Sequence, residues 1–233
     1  MVPSEATRTL LAARWPWVET RVTVVPYGVH ERYHRDTASR TLAPVLQKYG
    51  VERGRYFLFV GTDRPHKNLQ RMVEAFAKLP ESLRCSLRLA VAGAHRYAAV
   101  SGSSAGSQEG LVSLGYVPAE HLPALYRGAL AFVMPSLGEG FGLPALEAMT
   151  VGSPVIVSSG TSLEEVVGDA GLVVDPMSAK SITEAMAAVA TDEALRDRMV
   201  RSGRERARQF SFRDTAKAAP GVPARYRVGA APG

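Results

Sequence analysis

The chain contains a single cysteine, Cys85, in 233 residues, so it cannot form an internal disulfide. This scarcity excludes the disulfide-stabilised secreted folds and favours a reducing compartment. The chain also lacks an apolar run near the roughly 20 residues that a membrane-spanning helix needs, and its first residues lack the basic, apolar and small-residue order of a secretory signal. We therefore expect a cytoplasmic protein. Cys85 lies beside an apolar run, so we expect it to be a small buried residue.

Acidic residues are fewer than basic ones, 22 against 28, which gives a net charge of +6. Part of the basic excess is local, because six arginines lie between Arg196 and Arg208. They predict either a patch for nucleic acid or anionic lipid headgroups, or the solvated face of a helix with acidic residues between them. No aromatic stacking set or nucleic-acid module accompanies them. We therefore favour the solvated face, expect no nucleic-acid partner, and keep peripheral contact with the inner membrane face as the alternative.

Short apolar runs alternate with amphipathic stretches along most of the chain. The runs are nearly continuous in apolar residues, which is typical of strands buried on both faces of a parallel sheet. The predicted strands are 56–61, 87–93, 111–116, 130–135, 154–158 and 171–175. The predicted helices are 5–13, 68–79, 119–128, 143–151, 163–167, 178–190 and a last one ending near 209. This alternation predicts right-handed crossovers and an α/β fold with a doubly wound parallel, Rossmann-like sheet.

Helix starts are predicted from capping patterns. Ser162 and Ser181 are each followed three residues later by glutamate, which predicts capping boxes, and Thr191 predicts the cap of the last helix.

The two ends of the chain do not follow the alternating pattern. We expect residues 1–34 to be the remnant of a preceding domain and a linker, and residues 35–212 to be the Rossmann-like domain. We expect 213–233 to be a tail whose prolines prevent a long helix past about residue 219. The Gly/Ser-rich stretch 101–110 predicts a flexible surface loop.

The most informative segment is 136–158, where a glycine-rich turn joins a predicted strand to a predicted helix that begins at Leu143. Gly138, Gly140 and Gly142 allow the backbone to approach a ligand without a Cβ atom in the way. The helix turns its free N–H groups and its positive end toward this turn, which favours an anion. In open α/β sheets the ligand crevice lies beyond the carboxyl ends of the strands, where this turn falls. Turn chemistry alone would explain the glycines equally well.

Two carboxylates, Glu139 and Glu147, make the segment more specific. They lie eight positions apart, one in the turn and one in the helix, so both could face a ligand at the helix N-terminus. A carboxylate suits the hydroxyl groups of a ribose or hexose better than a phosphate, because it accepts charge-assisted hydrogen bonds. The alternative for Glu147 alone is a solvated helix face.

A second cluster, 60–68, follows the first predicted strand. Lys67 is a point charge placed to meet phosphates, and Arg64 and His66 are nearby candidates. Alone, these residues would more often form a surface turn. At the end of another strand, the backbone at Val117 could pair with the edge of a nucleobase.

Taken together, these segments resemble the retaining glycosyltransferases with two Rossmann domains (the GT-B fold), in particular bacterial mannosyltransferase-like members of glycosyltransferase family 4. The resemblance runs from Ser4 to about Ala218. The matching segments are VVPYGVHERY, YFLFVGTDRPHKNLQRMVEAF, LGYVPAEHLPALYRGALAFVMPSLGEGFGLPALEAM, GSPVIVSSGTSLEEVVGDAGLVVDP and FSFRDTA.

The resemblance implies a role for each site residue. Glu139 would face hydroxyls of the donor hexose, Glu147 the nucleotide ribose, and Lys67 would neutralise the diphosphate. Lys67 and Glu139 would be the catalytic residues. The implied donor-binding set is Gly61, Thr62, Arg64, His66, Lys67, Val117, Glu139, Gly140, Phe141, Gly142, Leu143 and Glu147.

The sequence departs from the family at four points. Thr62 stands where many members have an arginine, and His66 stands where closer members often have an arginine. Arg64 could supply the missing positive charge. The family's acceptor-binding domain would precede residue 1, so we expect this chain to be mainly the donor-binding half, with little or no turnover alone. The family's C-terminal helix is replaced by a proline-containing end.

The implied reaction transfers a hexose from a nucleotide-diphosphate sugar, with retention, to an acceptor glycan or lipid-linked sugar. GDP-mannose is the favoured donor, followed by UDP-glucose or UDP-N-acetylglucosamine, with no cofactor and no metal. A non-catalytic nucleotide-sugar-binding module, or a subunit that needs a separate acceptor domain, would use the same residues. An epimerase or a phosphorylase would need further acid/base groups or a pyridoxal-bearing lysine, for which we find no candidate.

Overall fold

The computed structural model of the chain describes residues 1–34, 37–93 and 110–218. The predicted loop 101–110, apart from Gly110, and the end of the tail lie outside these residues.

Six parallel strands form one sheet, in the order β3-β2-β1-β4-β5-β6. The strands are β1 Tyr56–Val60, β2 Arg88–Ala92, β3 Leu111–Gly115, β4 Ala131–Met134, β5 Val155–Ser158 and β6 Leu172–Val174. Every predicted strand is present and every neighbouring pair is parallel. The predicted doubly wound Rossmann-like fold is therefore confirmed. The strand order reverses between β1 and β4, and such a switch point opens a crevice at the carboxyl ends of the strands.

Helices cover both faces of the sheet. They are α1 Glu5–Arg14, α2 Glu31–His34, α3 Thr37–Lys48, α4 Leu69–Ala77, α5 Glu81–Ser86, α6 Leu122–Gly128, α7 Leu143–Val151, α8 Ser162–Val167, α9 Ala179–Thr191, α10 Glu193–Ala207 and α11 Phe212–Ala218. The helices α2, α3, α5 and α11 were not predicted from the sequence. Among the described residues, no helix has the length and apolar character to cross a membrane.

The strands are buried on both faces, which explains their continuous apolar sequence. Leu58 and Phe132 belong to one core cluster, with Leu146 of α7. Their strand neighbours Phe57 and Val133 belong to the other. A hydrophobic core on each side of the sheet thus packs against the paired strands β1 and β4.

The predicted helix caps are wrong, because neighbouring polar residues take their place. Thr161 caps α8 by accepting from the N–H of Leu163 at 3.2 Å. Ser178 caps α9, and Asp192 caps α10 by accepting from the N–H of Leu195 at 2.8 Å. Ser162 is not free to cap, because its hydroxyl bonds a distant carbonyl. At α8, a tertiary contact therefore decided which of two adjacent side chains became the cap.

The arginine run is only partly a solvated face. Arg196, Arg204 and Arg206 donate to backbone carbonyls in the last turns of α9, α7 and α8. These carbonyls have no partner within their own helix, so an arginine there satisfies them. The remaining three, Arg198, Arg201 and Arg208, are exposed as predicted.

Cys85 is exposed, which contradicts the expected burial. It lies near the end of α5, a six-residue surface helix in which no residue is buried. The adjoining apolar run belongs to the next strand, β2, so it does not predict burial of the residues in α5.

The cap assignment at α10 is testable. Asp192→Ala should lower the free energy of unfolding by about 1 kcal/mol, because a first-turn N–H group loses its acceptor. Thr191→Ala is the matched control, since the exposed Thr191 hydroxyl donates only to the Ala187 carbonyl of its own helix. Urea denaturation of the two variants measures the difference. Equal losses would show that Asp192 does not act as the cap.

Candidate functional site

The loop 135–142 joins β4 to α7 at the switch point of the sheet. Its last residue, Gly142, caps α7 in the left-handed conformation, with φ of 102°. A Cβ atom at Gly142 would collide with the Leu163 side chain. Only glycine therefore fits here, and the requirement comes from both the backbone conformation and the packing of α8.

The carbonyl groups of this loop are held by side chains from four other parts of the chain. The contacts are Asn68 to the Pro135 oxygen at 2.8 Å, Ser158 to Ser136 at 2.5 Å, Ser162 to Glu139 at 2.8 Å, and Ser4 and Thr7 to Gly140 at 2.8 and 2.9 Å. Because the C=O and N–H of one trans peptide unit point in opposite directions, each anchored carbonyl also fixes the direction of the following N–H.

The amide groups of the loop end are left available. Within the described residues, the N–H groups of Gly140, Phe141, Gly142 and Leu143 have no hydrogen-bond acceptor. They precede a helix whose N-terminal end carries a partial positive charge. Successive N–H groups at a helix N-terminus form an anion site. Phe141, Gly142 and Leu143, which belong to the implied donor-binding set, therefore present free N–H groups, and that these groups bind a donor stays a prediction.

Lys67 and Glu139 come together at this loop. Lys67 ends a 3₁₀ turn, Pro65–Lys67, after β1, and its Nζ lies 2.7 Å from Glu139 Oε1. The two side chains are only 17% and 11% exposed, so the pair is largely shielded from water. The carbonyl of His66 accepts from the N–H of Leu137 at 2.7 Å, which joins the two loops directly.

The other predicted residues of the first loop precede Lys67 in the chain. The side chains of Thr62, Arg64 and His66 are exposed. Gly61 lies at the end of β1, where its N–H donates to Ala92 at 3.0 Å. Their contribution to donor binding stays a prediction.

Asn68 fastens the first loop to the second, a role that sequence analysis missed. Among the residues that the structure describes, Asn68 is the one non-glycine residue with a positive φ angle, 58°. Its amide donates to the carbonyls of Pro135 and Pro176 at 2.8 and 2.7 Å. An asparagine directly after a basic turn was the available signal, since asparagine tolerates this conformation better than most residues.

Glu147 does not lie on a solvated helix face. Its Oε2 accepts from the hydroxyl of the fully buried Tyr126 at 3.2 Å, and the hydroxyl of Tyr33 also bonds the carboxylate. Burial raises the pKa of Glu147, while the bonds from Tyr33 and Tyr126 and the charge of Arg32 partly oppose the rise. Burial and the nearby carboxylate raise the pKa of both tyrosines, so each remains a donor. Sequence analysis gave no signal for these partners.

Val117, the predicted contact to a base, follows β3 at the same edge of the sheet. It is buried, whereas Tyr116 before it is 77% exposed. The end of β3 is joined to that of β2 by the bond from the N–H of Gly93 to Gly115 at 2.7 Å. Since parallel strands end at one edge, Val117 shares that edge with Lys67 and the loop 135–142.

Two further observations concern binding sites other than the loop 135–142. A surface hollow of about 660 Å³ lies between residues 168–170 and α10, and its lining includes no residue of the loop 135–142. Its Arg206 is already bonded to the carbonyls of Glu165 and Val166. In the part of the chain that the structure describes, no group of three histidine, cysteine, aspartate or glutamate side chains could hold a metal ion.

Comparison with known proteins gives a family match. The family model of glycosyl transferases group 1 matches residues 46–206. The O-antigen chain mannosyltransferase B of Escherichia coli is 42% identical over 173 residues, which cover 72% of this chain and 45% of that protein. The D-inositol 3-phosphate glycosyltransferase of Corynebacterium efficiens is 30% identical over 212 residues, covering 84% and 49%. The chain thus spans about half the length of these relatives.

Solved structures show the same fold. WaaG, a glycosyltransferase involved in lipopolysaccharide biosynthesis, superposes with a TM-score of 0.78 at 22% identity, covering 95% of this chain and 62% of that one. HepE of Anabaena, solved with UDP-glucose, gives 0.78 at 15% identity, covering 93% and 61%. The resemblance to the GT-B, mannosyltransferase-like group is confirmed.

The state of Glu147 makes stability depend on pH. Because the pKa of Glu147 is raised, the folded state binds more protons than the unfolded state. The stability that the Glu147 carboxyl contributes is therefore fully present below the ordinary glutamate pKa of about 4.3, and it is lost as pH rises through the raised pKa. Wild type should therefore lose stability relative to Glu147→Gln between acidic and neutral pH. Urea denaturation across this range measures the difference. Thr150→Ala, on the same helix and without a titratable group, is the control. A Glu147→Gln difference that does not change with pH would contradict the assignment.

Proposed function

Because the chain belongs to the group 1 glycosyl transferases, we propose that its Rossmann-like domain binds a nucleotide-diphosphate sugar as the donor for hexose transfer. The proposal rests on the loop 135–142. Its carbonyls accept hydrogen bonds from side chains elsewhere in the chain, while its last N–H groups, near Lys67, have no acceptor among the described residues. Fixed amide donors and a cation in a shielded crevice suit a diphosphate, which carries delocalised negative charge.

The two carboxylates suit the sugar parts of such a donor. Glu139 is paired with Lys67, so its charge is balanced and it can lie near a diphosphate without net repulsion. Its remaining lone pairs can accept from hexose hydroxyls. Glu147 is held by Tyr126 and Tyr33 and would accept from the ribose. The backbone at Val117 would meet the base.

Mannose is the favoured hexose, with GDP-mannose as the donor. Relatives named O-antigen chain mannosyltransferase B and serotype-specific mannosyltransferase WbdA, both of Escherichia coli, support this choice. UDP-glucose and UDP-N-acetylglucosamine are the next donors to test. The acceptor we propose is a glycan or a lipid-linked sugar, used in the cytoplasm or at the inner membrane face.

Transfer would proceed with retention and without a metal or other cofactor. The acceptor oxygen attacks the anomeric carbon on the face from which the diphosphate leaves, and the departing diphosphate takes the acceptor's proton. Lys67 and the free N–H groups stabilise the charge that develops on the leaving group.

Donor binding is tested by calorimetric titration with GDP, GDP-mannose, UDP, UDP-glucose and UDP-N-acetylglucosamine. Lys67→Gln should weaken every diphosphate roughly tenfold or more, because a charge-assisted bond contributes about 1.5–3 kcal/mol. Glu139→Gln should weaken the nucleotide sugar relative to the bare nucleotide, since it removes an acceptor for the hexose and frees Lys67. Glu147→Gln should lower the preference for a ribonucleotide over its 2′-deoxy analogue.

The control is Lys78→Gln, which removes an exposed lysine paired with Glu74 at 2.6 Å and should leave every affinity unchanged. If Lys67→Gln and Glu147→Gln both bind the best donor as tightly as wild type, the site is assigned wrongly.

Transfer itself is tested with the best donor and a panel of acceptor glycans. The expected product keeps the anomeric configuration of the donor, which NMR coupling constants report. Inversion would exclude the mechanism. Because we expect little or no turnover from this chain alone, the assay is repeated with a candidate acceptor-binding partner co-expressed. Tight donor binding with no transfer to any acceptor in the presence of that partner would favour the non-catalytic binding module.

A further inference from the structure

The opening helix α1 begins directly against the donor loop. Its N-cap Ser4 is fully buried, and the Ser4 hydroxyl lies 2.8 Å from the carbonyl oxygen of Gly140. The Thr7 hydroxyl lies 2.9 Å from the same oxygen. Each hydroxyl has one proton and a carbonyl oxygen can accept two hydrogen bonds, so both can donate to Gly140 at once. The contact joins residues more than 130 positions apart.

The helix is itself held in place. The carboxylate of Glu165 accepts from the first-turn N–H groups of Glu5 and Ala6, at 3.1 Å each. Negative charge is favourable at a helix N-terminus. The backbone oxygen of Glu165 in turn accepts from Arg206 at 2.7 Å. Thus α1 is fastened to α8, and α8 to α10, so the two hydroxyls meet the loop from a fixed support.

The peptide unit between Gly140 and Phe141 gives this contact a consequence for binding. Its oxygen is held by Ser4 and Thr7, and its N–H belongs to Phe141, one of the unpaired donors. Because the two groups of a planar peptide point in opposite directions, a fixed oxygen directs the N–H away from α1. The Phe141 ring is held as well, edge to face with Tyr27 at 5.3 Å and with Phe210 at 5.9 Å.

We propose that Ser4 and Thr7 are positioning residues of the donor site, which hold the Gly140–Phe141 peptide in the orientation that binds the diphosphate. The inference rests on the proposed function, since it adds residues to the same site. It assigns the opening segment a part in donor binding that its place in the sequence does not suggest. The segment acts through the loop, without touching the donor itself.

The test compares the full chain with the double variant Ser4→Ala, Thr7→Val. Loss of two hydrogen bonds should weaken GDP or UDP roughly tenfold, with a smaller effect on the corresponding nucleoside, because the phosphate-binding N–H groups are the ones that lose their orientation. With GDP or UDP bound, hydrogen–deuterium exchange at Phe141, Gly142 and Leu143 should be faster in the variant than in wild type, because a phosphate acceptor is what protects these otherwise unpaired N–H groups. Calorimetry, ligand-observed NMR and mass spectrometry measure these effects.

The matched control is Thr183→Val. The Thr183 hydroxyl also lies between two elements, within hydrogen-bond distance of the carbonyls of Ala75 of α4 and Ala179 of α9 at 2.9 and 2.8 Å, but it lies apart from the loop. It should lower the melting temperature and leave nucleotide affinity and loop exchange within twofold of wild type. If the double variant does not fold, the single variant Thr7→Val should still weaken binding two- to threefold, roughly the effect of one hydrogen bond.

The outcomes separate the two proposals. Wild-type affinity and wild-type loop exchange in a folded double variant would overturn the positioning role, and a large loss in Lys67→Gln would then still support donor binding. If the unaltered chain binds none of the nucleotides, both proposals fail.

Discussion

The site depends on how the carbonyl groups of the loop 135–142 are satisfied. A loop can offer successive N–H groups to an anion only if its carbonyls point elsewhere and find donors there, because both groups share each peptide plane. Here Asn68, Ser158, Ser162 and the pair on α1 supply those donors. The orientation of the loop's free N–H groups is therefore fixed by the fold, so the proposed anion binding would cost little ordering entropy.

The charged groups around the loop follow from the same requirement for preorganisation. The shielded Lys67–Glu139 pair places a cation beside the proposed phosphate position without leaving an uncompensated charge there. Glu147 is half-buried and costs solvation, which its bonds from Tyr126 and Tyr33 partly restore. In both cases an acidic side chain that is partly withdrawn from water is tolerated because specific partners hold it.

Much of the fold could be predicted from local patterns. The six buried strands, the helix Leu143–Val151 and the switch-point location of the loop depend on hydrophobic periodicity and on glycine, which are properties of short segments. The caps of α8, α9 and α10, the exposure of Cys85 and the bonding of Arg196, Arg204 and Arg206 were not predicted correctly. The cap of α8 and the arginine bonds depend on which distant carbonyl or helix end lies within reach, and periodicity carries no such information. The caps of α9 and α10 lie a few residues before or after the predicted ones, and Cys85 is exposed because its short helix buries no residue.

The sequence by itself determined the fold class, the family and the two carboxylates and one lysine that the site is built around. Only the tertiary structure decided that Lys67 pairs with Glu139, that two tyrosines hold Glu147, and that Ser4 and Thr7 of the opening helix hold Gly140. The physical reason is that burial patterns and turn residues act over a few positions. A hydrogen bond across more than 130 residues forms only after the sheet and its helices have brought both partners to the same edge.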